Sequence, residues 1–529
     1  MINIFSFYHK KITHQISILL MGCIGLFLVS CTATKTSTIT KDDGVLDFTI
    51  VQVNDVYEIA PLDDGKWGGM ARVATLKKEY KAQNPNTFLI IAGDFLSPSV
   101  YNSLKYEGQR IRGKQMVESM NAAGMDFAIF GNHEFDIKQY ELESRINESN
   151  FTWISSNTFQ RDGDHYVPFT QTKDGQTEPL PENYILHLKD KDGTEVNVGF
   201  IGITIPFNKA PYVVYTDVFK AAEKNYAALK DKCDAVIAIT HQAMEDDIKL
   251  AKLIPGLTCI IGGHEHERHF AKIGNVYITK ADANAKSAYI LHFEINKKTK
   301  QVKVKDKIID VNETVPIDSA TKVVVQKWTD IGNKNYASLG FDAAKICLTK
   351  GEPLDGREAY IRSTQTNFTK LIVKAIEKAS PEAEVAIVNS GSIRVDDILH
   401  MPVTEYDVIR SLPFGGSILE VEMRGKLLTK VLDIGITNRG SGGFLQYSEA
   451  MVKDSTSHTW SLDGEAIDPE RVYRVAITDF LLTGGESNLG FLTKDNPDIV
   501  KVFPEYTDKD DPRSDIRKAI IRYMESLNK

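Results

Sequence analysis

Three observations in the 529-residue sequence predict an α/β first half followed by a separate α+β second half. Five short apolar runs, FTIVQV, FLIIAG, FAIFG, AVIAIT and CIIGG, each lead into a polar motif. Runs of that length and β-branched content read as strands of a sheet covered on both faces. Between them apolar residues recur at helical spacing, and beyond residue 312 the rhythm changes to a long helix followed by short strands and helices. A chain of this length is too long for one core, so two domains are the natural division.

Taken in order, the chain opens on a targeting segment. Lys10 and Lys11 precede an apolar stretch over residues 16–29 that ends in Leu28-Val29-Ser30-Cys31, the layout of a secretory signal. That end resembles the bacterial lipobox, which implies that Cys31 is lipidated and becomes the first residue of the mature chain. Leu20-Met21-Gly22-Cys23 fits the same pattern but lies in the middle of the apolar run, so Cys31 is preferred. The stretch is short for a spanning helix, which favours a cleaved signal over 1–31 above an uncleaved anchor. Residues 32–44 are polar, rich in Thr, Lys and Asp, and read as a flexible tether.

The first domain is expected over 45–311. Met70, Val73, Ala74 and Leu76 mark one helix before Pro85, and Met116, Val117 and Met120 mark another, with Gly124 as its C-cap. Residues 161–192, rich in Asp, Gly, Pro and Thr, read as a surface loop or hairpin. Val324, Trp328 and Ile331 place a linker helix within 312–338. The second domain, 339–529, begins with an amphipathic helix over 367–380 whose Phe368, Leu371, Ile372, Ala375 and Ile376 share one face. Strands follow at EVAIVN, ILEVEMRG and VYRVAITDF.

In open α/β sheets ligands bind beyond the carboxyl ends of the strands, so the five motifs converge on one rim. They carry Asp55, Asp94, the Asn132 amide, and the imidazoles of His133, His241, His264 and His266. Oxygen and nitrogen donors in that ratio suit zinc, manganese, iron or cobalt, and a bridging carboxylate can hold two such ions about 3.5–4 Å apart. A lone Gly-Asp after a strand is usually a turn, and a lone buried His is usually a core residue. Five such motifs, each on a strand end, argue for a metal centre.

In these motifs and their order the chain resembles the calcineurin-like metallophosphoesterases and, over about 47–491, the bacterial 5′-nucleotidase and UDP-sugar hydrolase family. The resemblance implies a four-layer α/β/β/α metallophosphoesterase domain followed by an α+β substrate-binding domain. It also implies two divalent ions bridged by Asp94, with Asp55 and His266 completing the first site and Asn132, His241 and His264 the second. His133 is then no ligand but faces the phosphate, with Asp136 orienting its ring. That division suits the chemistry, since metals activate water while a separate acid offsets charge on the leaving oxygen. One position departs: the family usually reads Asp-x-His where this chain reads Asp55-Val56-Tyr57. A neutral phenol with a pKa near 10 is a poorer ligand than imidazole. Tyr57 therefore either weakens the first site or selects a harder ion that favours tyrosinate.

The second half carries the same family's nucleotide motifs. Arg362 stands at a helix start, Asn389-Ser390-Gly391-Ser392-Ile393-Arg394 replaces Asn-Gly-Gly-x-Ile-Arg, and Leu412-Pro413-Phe414-Gly415-Gly416, Gly442-Gly443-Phe444-Leu445-Gln446 and Asp479-Phe480 follow. Arg362 and Arg394 can pair with phosphate or ribose oxygens. Phe414 and Phe480 can stack on the two faces of a base, and Asn389 and Glu486 complete the implied substrate set. Gly484-Gly485-Glu486-Ser487-Asn488 departs from the usual Gly-Gly-Asp-Gly-Tyr, and Phe368-Thr369-Lys370 follows Asn367 where Gly-Asn or Gly-Arg is usual.

The net charge of −8 argues against nucleic-acid binding and leaves local metals and arginines to attract an anionic substrate. After Cys31 only Cys233, Cys259 and Cys347 remain, which is no disulfide framework, and a Cys233–Cys259 bridge stays open. The expectation is metal-dependent hydrolysis of nucleotide phosphate monoesters at a bacterial cell envelope. Cyclic-nucleotide, UDP-sugar and sulfur-ester hydrolysis stay open, as does a non-catalytic nucleotide-binding lipoprotein.

Overall fold

The computed structural model describes residues 42–207 and 210–529. The expected signal, Cys31 and the tether up to residue 41 lie outside the described residues. Each apolar run becomes a strand whose successive side chains serve two cores: Ile50 packs inward between two sheets, while Val51 faces a helical layer. This double burial is why the runs lack polar alternation.

The first sheet has the order Gln301–Asp310, Ser287–Asn296, Val45–Val53, Thr87–Ile91, Phe127–Ala128, Thr152–Trp153. The second has the order Asn183–Lys189, Glu195–Thr204, Ala235–His241, Cys259–Gly263, Val276–Lys280, His269–Ile273. Phe48, Ile90 and Phe127 of one sheet meet Val198, Phe200 and Ile261 of the other in a dry interior, and the Phe127 and Phe200 rings stack at 5.1 Å. Burying each such side chain contributes about 1.5–3 kcal/mol. Helices Met70–Gln83 and Lys114–Ala123 cover the outer face of the first sheet, and Val218–Leu229 and Met244–Leu253 cover that of the second. The four layers are therefore α/β/β/α.

Three elements differ from their expected form. The FAIFG run makes a strand of only Phe127–Ala128, because the Gly131 amide bonds to the Glu134 carboxylate instead of continuing a ladder. The polar stretch 161–192 holds short exposed hairpins, and its end, Asn183–Lys189, is an edge strand paired with Glu195–Thr204. The long helix spans Ser319–Ser338; Asp318 caps it by accepting the Thr321 N–H at 2.9 Å, and Asn312 instead bridges to Trp67. Gly124 caps its helix as expected, with φ 73°.

In the second half a five-stranded sheet runs Leu445–Tyr447, Val385–Asn389, Val472–Thr478, Ile418–Arg424, Ile499–Val502. Asn367–Ala379 and Ile516–Leu527 pack on one face through Ile372, Ile376 and Ile520, and Gly425–Thr437 packs on the other through Leu428 and Leu432. One apolar core runs from the outer face of the first sheet through Trp328 and Tyr336 of the long helix to Phe341 and Met524, so the halves share packing. Cys233, Cys259 and Cys347 are free thiols, so the bridge left open is not formed. Among the described residues no helix is long and apolar enough to cross a membrane.

Candidate metal centre and substrate cleft

The strand ends do converge. Asp55 leaves the strand Val45–Val53, Asp94 the strand Thr87–Ile91, His241 ends Ala235–His241, and His264 and His266 follow Cys259–Gly263. Asp55, Asp94, His264 and His266 all have left-handed backbones, with φ 52°, 54°, 97° and 61°. Such conformations cost about 1–3 kcal/mol each in non-glycine residues and concentrate where function over-determines the chain. Glycines make room for them: a Cβ on Gly131 would lie 2.1 Å from Asp94 Oδ1, and one on Gly263 would lie 2.5 Å from the Ala92 carbonyl.

The hydrogen bonds leave specific lone pairs uncommitted. Asp55 Oδ2 accepts from Asn54 Nδ2 at 2.8 Å and from the His264 N–H at 2.9 Å. Its Oδ1 has no hydrogen bond and faces His266 Nε2 at 3.3 Å and His241 Nε2 at 3.9 Å. Asp94 Oδ1 accepts the His133 N–H at 2.8 Å, while Oδ2 lies 3.1 Å from His241 Nε2. His241 donates Nδ1–H to the Ala92 carbonyl at 2.8 Å, so its other nitrogen turns towards two carboxylates. Asn132 Oδ1 and His241 Nε2 are buried without a hydrogen-bond partner.

Buried, unpartnered polar atoms are what a cation site supplies, because leaving them bare costs about 1–3 kcal/mol each. One ligand atom each from Asp55, Asp94 and His241 lies within 4.8 Å of the others. Burial opposes ionisation of Asp94, but His241 and His133 hold its carboxyl well below the usual range. Burial also opposes protonation of His241, yet Asp94 and Asp55 push its pKa up to about 9, while burial and the His241 ring hold His264 at about 4. The residues thus fit a divalent ion.

Tyr57 sits within this set. It is buried at 8 % exposure, with its hydroxyl 3.3 Å from Asp94 Oδ2 and 2.8 Å from His266 Nε2. His133 stands beside the centre with Nδ1 2.7 Å from Asp136 Oδ2. Across a cleft of about 660 Å³, lined by Asp94, Asn132 and His133, stand Arg362 and Arg394 of the second half.

Residues 48–268 match the family model of the calcineurin-like phosphoesterases, and residues 345–493 match that of the 5′-nucleotidase C-terminal domain. The chain belongs to the 5′-nucleotidase-like metallophosphoesterases. It is similar to the trifunctional nucleotide phosphoesterase protein YfkN of Bacillus subtilis, at 25 % identity over 84 % of this chain but only 32 % of that longer protein. It is also similar to the 5′-nucleotidase of Bos taurus, at 25 % identity over 83 % of each chain. The crystal structure of a 5′-nucleotidase precursor from Thermus thermophilus shares the fold, with TM-score 0.67, 21 % identity, and coverage of 91 % of this chain and 97 % of that one. These relatives are phosphoester hydrolases, and family membership makes this chain an enzyme of that class, with a candidate metal-binding group in Asp55, Asp94 and His241.

The other expected substrate residues, Asn389, Glu486, Phe414 and Phe480, are not among those that line this cleft. Asn389 Nδ2 donates to Glu486 Oε2 at 2.7 Å, and Asn389 Oδ1 accepts from Ser392 at 2.7 Å. Phe414 lies on a loop and Phe480 in the short turn Asp479–Leu482, and the two segments are joined by the Asp479 N–H to the Ser417 carbonyl at 3.0 Å. Both rings are exposed, at 67 % and 43 %, and neither pairs with another aromatic ring among the described residues.

Two positioning groups escaped the sequence reasoning. The Glu134 carboxylate accepts the backbone N–H groups of Gly131, Asp94, Phe95 and Leu96 at 2.6–3.0 Å, locking the Asp94 loop to the Asn132 turn. Its signal was an acid inside the motif itself. Buried Lys280 donates to the Gln242 and Gly263 carbonyls at 2.6 and 2.9 Å and pairs with Asp247 and Glu265, tying the His241 and His264 loops together. Its signal was a lysine closing an apolar strand.

Proposed function

We propose that this chain hydrolyses the phosphate monoester of 5′-nucleotides, using two divalent ions, and does so at the cell envelope on a lipid attached to Cys31. The observation that carries the catalytic part is the cleft in which Asp94, Asn132 and His133 face Arg362 and Arg394. Its acceptors suit cations and its guanidiniums suit an anion, and a phosphoryl group needs both.

Asp55, His266 and Tyr57 are the proposed ligands of one ion, Asn132, His241 and His264 those of the other, with Asp94 shared. When bound, such ions polarise the phosphoryl oxygens and acidify water. The Arg362 and Arg394 guanidiniums hold phosphoryl oxygens as planar forks. Burial opposes protonation of His133, but Asp136 and Asp94 raise its pKa, so the ring can carry a proton to the leaving ribose oxygen. Asp136 fixes Nδ1, which leaves Nε2 for that transfer. Phe414 and Phe480 take the base between them, and Asn389 and Glu486 form a hydrogen-bonded floor beside it.

The test is phosphate release from a panel of 5′-nucleotides, cyclic nucleotides, UDP-sugars and a simple aryl phosphate, with metal analysis of the purified chain. Release from 5′-nucleotides that stops on chelation and returns with metal is expected. Release only from the other esters would move the substrate class, and nucleotide binding without any release would support the capture role.

A further inference from the structure

Asp396 has no part in the reading so far, yet it touches the metal centre from the opposite half of the chain. Its carboxylate is ion-paired with His266 Nδ1, and its other oxygen accepts the Glu358 N–H. The opposite ring nitrogen, Nε2, points inward, 3.3 Å from Asp55 Oδ1 and 2.8 Å from the Tyr57 hydroxyl. Asp396 also has a left-handed backbone, φ 38°, like the four ligand residues, and aspartate visits that region at a cost that something must offset. Two residues before it, Arg394 lines the substrate cleft, and Glu358 pairs with the cleft's Arg362.

From this arrangement we infer that Asp396 is a positioning residue for the metal site: the substrate-binding half supplies the outer carboxylate that orients His266. A carboxylate can only accept, so it fixes the proton on Nδ1 and leaves the Nε2 lone pair for an ion. Such carboxylate–histidine pairs raise the basicity of the ligating nitrogen and lock its ring. The consequence is a coupling. One short loop, residues 394–396, presents a guanidinium to the phosphate and a carboxylate to a metal ligand, so metal retention depends on the second half being seated against the first. The inference rests on the metal-dependent reading above and goes beyond it in assigning the first site to both halves.

The experiment is Zn²⁺ binding by the full chain, measured by competition with a chelator of known affinity, for the wild type and for Asp396→Ala, Asp396→Asn, His266→Ala and Asp94→Asn. Asp396→Ala is expected to weaken Zn²⁺ binding by about 10–100-fold, the usual cost of losing such an outer partner. Asp396→Asn, whose amide oxygen still accepts Nδ1–H, should recover most of that loss, a rescue that general unfolding would not give. Thermal unfolding in chelator should leave all variants close to the wild type. Should Asp396→Ala bind Zn²⁺ as the wild type does while His266→Ala and Asp94→Asn do not, the inference fails and the metal reading stands. Should the wild type bind no Zn²⁺, Mn²⁺ or Co²⁺ at all, the metal reading itself fails and takes the inference with it.

Discussion

The two sides of the substrate cleft are built in opposite ways. On the metal side Asp55, Asp94, Asn132 and His241 are at most 2 % exposed, and their loops are held by Glu134 and Lys280. On the second half the expected base-stacking rings, Phe414 beside Gly415 and Phe480 in the short turn Asp479–Leu482, are 67 % and 43 % exposed, with no ring partner among the described residues. Metal coordination tolerates errors of a few tenths of an ångström, so its ligands need a rigid scaffold. Stacking on a base tolerates far more, because every base presents a π-face. The donors of the metal side are therefore held rigidly, whereas the exposed rings of the second half leave room for variation there.

The sharpest break in that comparison comes at Asp94. One of its oxygens is locked by the His133 N–H and the other faces His241 and the Tyr57 hydroxyl, so no other group can replace it. Asp94→Asn should lose metal and drop phosphate release below detection, with little change in unfolding temperature. Metal analysis and phosphate assay together check this, and near-wild-type turnover by a folded variant would sink the shared-ligand mechanism.

His133 comes next. It lies beside the ligands and is oriented by Asp136, so His133→Ala should keep its metals yet lower kcat by about 10²–10⁴-fold, the usual contribution of a positioned proton donor. Loss of metal from this variant would show that His133 is itself a ligand.

Which of these residues could be seen in the sequence follows from where their partners lie. The convergence of the strand-end donors was legible because a run of β-branched residues and the donor that terminates it are adjacent in the chain. The layered fold was legible because every run carries residues for two cores. Asp396 and Lys280 were not legible as site residues, since their partners lie on other loops and helices and only folding brings them together. The hairpins within 161–192 lacked any period because most of their side chains face solvent, so no core imposes alternation. FAIFG promised a longer strand than it makes, since its apolar pattern does not show that Glu134, three residues on, claims the Gly131 amide.

The nucleotide side should give a smaller and more selective effect. Truncating a stacked ring costs about 1–3 kcal/mol per base. Phe414→Ala and Phe480→Ala should therefore raise KM or lower kcat/KM for a 5′-nucleotide while leaving a simple aryl phosphate nearly unaffected. Both rings are exposed, so stability should barely change. If both variants treat the two substrates alike, the second half reads no base, and the function retreats to a phosphoesterase of another substrate class.

Tyr57 gives the smallest expected effect, and it sharpens the comparison by asking how rigid the metal side has to be. Its hydroxyl touches both Asp94 and His266, so the phenol points into the candidate site. Burial and the neighbouring Asp94 and Asp55 carboxylates push its pKa well above the ordinary phenol value, so without an ion it stays neutral and donates a hydrogen bond. Tyr57→His offers a better donor for zinc but a shorter side chain, which leaves a gap in a tightly held site. The two effects oppose, and a gain in Zn²⁺ affinity of about tenfold at most, roughly 1.4 kcal/mol, is expected. Chelator competition with Zn²⁺ and, in parallel, with Fe³⁺ checks the sign. A gain for zinc with a loss for iron would make Tyr57 a selector of harder ions. If neither affinity moves, the phenol is only a hydrogen-bond donor to Asp94, and the site does not need it as a ligand.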